Sequence, residues 1–339
     1  MSKKIILLQI LLILLLLGST ASLIGVHYYL TTKRIDRDDS PTPEPVKKFS
    51  TSSRKGTFLE AKNVLFRFKK NISLEIPKLY GELVPKENLT IVNFDDVKSF
   101  VIKINNGEAY ASKEVLEVIF KDYVFNFPDS ALKIGNIDFP EEEGSKIKLT
   151  GEIHFIFWLE FEMIGLLSLD STTNTLVISA DQITALGISK TKPLLGLVGL
   201  SLEKLLPMPK GRGIEIHGNE IIVYPFQIFP PPQMEGKISK VAIKNKKLHL
   251  TLDSLEKISL PKPPEPNAKN YLYLNQGDVK FGKLFMTNTN LQMIDKDPSD
   301  YLDFYMEQYF KTLTTGGSAL VLPDQSLKVI MPDYGDLFP

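Results

Sequence analysis

Between Ile147 and Met163 every odd position except Gly151 is apolar: Ile147, Leu149, Ile153, Phe155, Phe157, Leu159, Phe161 and Met163. Successive side chains of a strand point to opposite faces, so a period of two sustained this far commits the region to a sheet with one buried face. Read as one strand at about 3.3 Å per residue, it would reach roughly 50 Å, far beyond the usual five or six residues. The spacing therefore predicts a strand that curves or bulges, with Gly151 as the natural bend.

The same alternation recurs along the chain. Val64, Phe66, Phe68, Ile72, Leu74 and Ile76 are apolar between polar neighbours, which predicts a hairpin turning at 69–71. Ile214 and Ile216 turn through Gly218-Asn219 into Ile221 and Val223, and Ile238–Ile243 turns at Asn245-Lys246-Lys247 into Leu248, Leu250 and Leu252. Further strands are expected around Phe100–Ile104, Tyr271–Leu274, Val279–Met286 and Leu291–Ile294.

Three helices are signalled. Ser112 can cap Lys113–Val124, whose stripe is Val115, Leu116, Ile119, Tyr123 and Val124. Pro193 opens a second helix running to about Leu206, apolar almost all round through Leu195, Val198 and Leu202, which requires enclosure. A third would start at Asp297-Pro298, with Asp300 in its first turn, and close at Gly316-Gly317.

Residues Ile5–Leu30 carry no formal charge and are long enough to cross a hydrocarbon core of roughly 30 Å, with Tyr28 and Tyr29 near an interface. Small residues at Ser19-Thr20-Ala21-Ser22 leave a cleaved signal peptide as the alternative. Either way the remainder is expected outside the cytoplasm. The organisation expected is a transmembrane signal anchor at 1–31, a Pro-, Ser- and charge-rich linker at 32–56, an α+β domain at 57–260, and a C-terminal β-α extension at 261–339 packed on that domain. This predicts a single-pass inner (cytoplasmic) membrane protein with its C-terminal domain in the periplasm or outside the cell.

Chemistry is sparse. Forty Lys and Arg balance forty Asp and Glu, so the field that nucleic-acid binding needs is missing. Without cysteine there is no disulfide, no thiol nucleophile and no Cys-based metal site. His27, His154, His217 and His249 stand at no metal-ligand spacing. Asp295, Asp297, Asp300 and Asp303 form the best candidate cation cluster, but they match no EF-hand loop, and helix capping accounts for Asp297 and Asp300. No phosphate-loop, hydrolase or zinc-protease motif occurs. The expectation is a non-enzymatic protein with no metal and no cofactor.

The order of elements, with a helix at Lys113–Val124, long amphipathic strands, then a second apolar helix leading into the hairpin GRGIEIHGNEIIVYP (211–225), resembles the tubular lipid-binding (TULIP) superfamily, bacterial envelope phospholipid-binding type. The likeness spans about Thr57 to Ser254. It implies an α+β fold in which a long, strongly curved antiparallel sheet wraps around one or two helices, after the N-terminal transmembrane helix. It further implies binding of phospholipid or another acyl-chain lipid in an apolar groove lined by Val115, Leu116, Ile119, Tyr123, Ile153, Phe155, Phe157, Leu159, Phe161, Met163, Leu195, Val198 and Leu202. The expected partners are membrane lipid and other envelope proteins. The alternative is a non-enzymatic structural or interaction protein of the cell envelope, whose core is filled.

Overall fold

The computed structural model describes residues 56–86, 89–154, 158–185, 201–253 and 260–338. In chain order they form β1 (Thr57–Lys69), β2 (Ile72–Pro85), β3 (Val92–Asn93), β4 (Phe100–Ser112), α1 (Lys113–Val118, continued by a π-helical stretch Ile119–Val124), β5 (Leu132–Asp138), β6 (Glu143–Gly144), β7 (Lys146–His154), β8 (Trp158–Asp170), β9 (Thr175–Ala185), α2 (Leu202–Leu205), β10 (Ile214–His217) and β11 (Glu220–Val223). There follow α3 (Pro225–Ile228), β12 (Gln233–Gly236), β13 (Ile238–Lys244), β14 (Lys247–Asp253), β15 (Tyr271–Asn275), β16 (Val279–Phe281), β17 (Leu284–Met286), β18 (Asn290–Asp295), β19 (Leu302–Tyr305), α4 (Tyr309–Gly316), β20 (Ser318–Val321), β21 (Leu327–Met331) and α5 (Tyr334–Leu337).

Strands dominate, and one sheet is curled into a half barrel. The larger sheet has twelve strands in the order β20-β21-β18-β15-β1-β2-β4-β14-β13-β6, with β12 added to β4 and β19 to β1. It is mixed, because β19, β12 and β21 pair in parallel with β1, β4 and β18. The second sheet, β10-β11-β9-β8-β7-β5, is antiparallel throughout, and β17-β16-β3 make a small third one.

The long alternating stretch is a hairpin, not one strand. His154 pairs with Trp158, Ile153 with Leu159 and Leu149 with Met163, so three residues separate the two paired strands. An odd-length turn keeps odd positions on one face of both strands, and the period therefore runs through it unbroken. Gly151 marks a close approach: a Cβ there would lie 2.0 Å from the Lys133 carbonyl oxygen, beside the register shift between Ile134 and Asn136 in β5.

The turns at 69–71, Gly218-Asn219 and Asn245-Lys246 occur where the alternation places them, the last with positive φ at both residues. Two helix expectations change. The first helix begins as expected, with the Ser112 hydroxyl accepting from Val115 N, but after Val118 it widens into a π-helical stretch. The third is displaced: Leu302–Tyr305 is β19, buried along its whole length beside β1, and the helix begins only at Tyr309. Asp297 accepts instead from Ser299 N in a tight turn, so tertiary pairing overrides the local capping signal. The expected strand Val279–Met286 is folded back at Gly282, φ 61°, into β16 and β17.

Residues beyond 261 join the sheet begun by β1. Asn63, φ 48°, kinks that strand; before it β1 pairs with β15, and after it with β19. Arg67 then binds Asp303 at 2.5 Å. The expected N-terminal anchor and linker up to residue 55, and the expected second apolar helix up to residue 200, lie outside the described residues. Among the described residues no helix is long and apolar enough to cross a membrane.

On the outer side of β14, the His249 ring stacks on Tyr110 with centroids 3.7 Å apart. Burial, then the charge of Lys244, holds this imidazole below the usual histidine range. Between the folded value and the ordinary one near 6.5, the unfolded chain binds more protons. Urea stability should therefore fall as pH drops below about 6.5, and His249→Gln should flatten that slope. An unchanged slope in the variant would assign it to other groups.

Candidate functional site

Three elements enclose an apolar hollow of about 30 Å³: the inner face of the six-stranded sheet, the π-helical turn with Phe125, and α2 with Leu206. The sheet supplies Leu132, Ile134, Leu149, Ile153, Phe161, Met163, Ile183 and Ile221, and the cover supplies Phe120, Phe125, Leu202 and Leu206. Thr184 also borders it, but its hydroxyl turns away to donate to the Glu162 carbonyl at 3.5 Å. No titratable group lines the hollow among the described residues, so it offers nothing for acid–base work. Its chemistry is exclusion of water.

An open crevice of about 470 Å³ abuts the hollow and shares Phe125, Leu132 and Ile134 with it. Lys121, Lys133 and Trp158 lie on the crevice wall. The Lys133 ammonium sits 3.8 Å from the Trp158 ring centroid and 3.2 Å from a Glu152 oxygen, while Lys121 is 3.8 Å from Glu117. These are solvent-facing cations whose pairs are weak enough to exchange. A second apolar cavity, about 40 Å³, lies in the core of the larger sheet near Phe66, Phe100 and Met306.

Of the residues expected to line a groove, Ile153, Phe161, Met163 and Leu202 border the hollow. Val115, Leu116 and Ile119 are buried in the general core, Leu159 is half-buried at its margin, and Tyr123 is 37% exposed. Phe155, Phe157, Leu195 and Val198 lie outside the described residues. Reading α1 at 3.6 residues per turn missed Phe120 and Phe125. In a π-helical turn the Phe125 N–H bonds to the Phe120 carbonyl, which brings residues five apart to one side, ring centroids 5.9 Å apart. The acids also regroup: Asp295 and Asp300 converge with Asp333, whereas Asp303 pairs with Arg67 and Asp297 turns to Ser299.

No family model, no curated protein and no solved structure matches the chain.

Proposed function

We propose that the chain is a membrane-tethered, extracytoplasmic domain that binds a phospholipid or another acyl-chain lipid. The observation carrying this reading is the juxtaposition of a wholly apolar hollow with an open crevice bearing two lysines and a tryptophan, across the shared wall of Phe125, Leu132 and Ile134. A lipid has the matching polarity. Its acyl chain gains about 0.8 kcal/mol per buried CH₂, and its phosphate suits Lys121 and Lys133. At about 30 Å³ the hollow is far below the roughly 300–1,000 Å³ of small-ligand pockets. Occupancy therefore requires Phe120, Phe125, Leu202 and Leu206 to move off the sheet. The likeness in element order to the tubular lipid-binding superfamily supports the same reading.

The test is native mass spectrometry with lipid extraction on the full chain, purified in mild detergent and then stripped of it. One co-purifying phospholipid per chain is expected. Ile183→Trp, which fills the hollow at an overpacking cost of about 1–3 kcal/mol, should lose the lipid while the circular dichroism is retained. An empty wild-type protein would overturn the proposal.

A second reading, a non-enzymatic structural or interaction protein of the envelope, is favoured by the small size of both apolar cavities. It is also favoured by β20, an edge strand with Leu320 and Val321 exposed at 55% and 67% and with neither charge nor proline to blunt it. An empty wild-type protein would promote this reading.

A further inference from the structure

Three large apolar side chains stand exposed around one turn. β16 and β17 form a tight hairpin, with Phe281 opposite Leu284 and Lys280 opposite Phe285, and β17 is the free edge of its three-stranded sheet. Leu284 is 43% exposed and Phe285 54%. Phe310, at the start of α4, completes the group, because its ring rests on the turn: a Cβ on Gly282 would stand 2.3 Å from it. The Gly282 N–H donates to the Tyr309 hydroxyl at 3.0 Å, which fixes the turn to the start of the helix. Single exposed apolar residues are ordinary, whereas a group of them held together marks a surface that docks.

Charge around the tip selects the partner. Asp95, which accepts from the Tyr309 hydroxyl, is neutralised by Lys280 at 2.9 Å, and Glu307, just before α4, by Lys69. Lys283, in the turn itself, and Lys311, next to Phe310, join no ion pair among the described residues. The Lys311 ammonium lies instead 3.7 Å from the Phe338 ring centroid. An apolar tip flanked by unpaired lysines is complementary to an anionic bilayer, where Phe and Leu enter the acyl boundary and Lys meets the phosphates.

The start of the described chain points to the same partner. A Cβ on Gly277 would lie 2.5 Å from the Gly56 carbonyl oxygen and 2.4 Å from the Thr57 hydroxyl, so the chain enters the domain against the base of this hairpin. From Gly277 to the turn at Gly282 the chain spans at most roughly 18 Å. The membrane anchor expected at 1–31 would thus be attached beside the tip.

We propose that the β16–β17 tip and Phe310 form a docking face for an anionic lipid bilayer, holding the domain against the membrane that carries its tether. This rests on the tethered reading above and is independent of the apolar hollow.

The chain has no cysteine, so one can be introduced and labelled with an environment-sensitive nitrobenzoxadiazole group. The full chain carrying Phe285→Cys is placed in nanodiscs of phosphatidylcholine, alone or mixed equally with phosphatidylglycerol, each with and without nitroxide-labelled lipid. In the anionic discs the label should shift to the blue and be quenched by the nitroxide, more strongly than in the neutral discs. A label at His217→Cys, on the other sheet, should stay unquenched. High salt or Lys283→Glu should remove the advantage of the anionic discs. If the labelled variant fails to fold, hydrogen exchange on the wild type decides, with the β17 amides expected to slow in anionic discs relative to neutral ones. A chain that stays with the discs while position 285 is unquenched, or is quenched equally in both lipids, overturns the docking face alone; so do β17 amides that exchange equally in both. A chain that travels with neither disc overturns the tethered reading together with it.

Discussion

Phe304→Ala should lower the stability of the chain by about 3–5 kcal/mol, a large fraction of the 5–15 kcal/mol that holds most domains together. Phe304 has no solvent exposure, and its ring lies 5.8 Å from Phe66, 6.2 Å from Phe94 and 6.1 Å from Tyr309 by centroid. Those four aromatics come from β1, the loop after β3, β19 and α4, so truncation opens a cavity where the first and last parts of the chain meet. The single tryptophan, Trp158, stands on the other sheet and reports it separately. Asn174 ties that sheet to the strands beyond β12: its side chain donates to the Gly236 carbonyl and accepts from Ile238 N, both at 2.8 Å. The fluorescence midpoint in urea is therefore expected to fall in step with the circular dichroism. A Trp158 transition that stays in place while the other moves would show two sheets that melt independently.

Gly151→Val should be comparably damaging for a steric reason. The added Cβ would meet the Lys133 carbonyl at 2.0 Å and the Gly135 nitrogen at 3.0 Å, and both are backbone atoms that cannot swing aside. Relief requires β5 to part from β7, which uncovers Leu132 and Ile134 at the hollow's edge. The cost should reach or exceed the upper end of the roughly 1–3 kcal/mol typical of overpacking. Hydrogen exchange should show it first as lost protection of the β5 amides. A variant with wild-type urea stability and protected β5 amides would refute this placement of the strand.

The hairpins were legible because their signal is local: a period of two that stops at Gly218-Asn219 or Asn245-Lys246 states both strands and turn. The β7–β8 turn was hidden by parity, since three residues between paired positions leave the alternation intact. The displaced helix after Asp297 had every local signal for an early start, and what moved it was the vacant edge of β1 beyond Asn63, more than two hundred residues earlier. The hollow was partly legible from Ile153, Phe161 and Met163, while Phe120 and Phe125 required the π-helical turn. Asp333 could not be joined to Asp295 by spacing, because the parallel pairing of β18 with β21 is what makes them neighbours.

The kink at Asn63 also shapes how the chain reaches this state. The ion pair that anchors β1 to β19 links residues 236 positions apart, so the later half of β1 has no neighbour on that edge until the C-terminal strands have been made. At about 5–20 residues per second, that leaves the edge open for roughly ten seconds or more during synthesis. Val64, Phe66 and Phe68 stand along it. A strand pairing late with so distant a partner makes for slow folding and an exposed template for mispairing. The newborn chain is thus exposed to mispairing longest along the later half of β1.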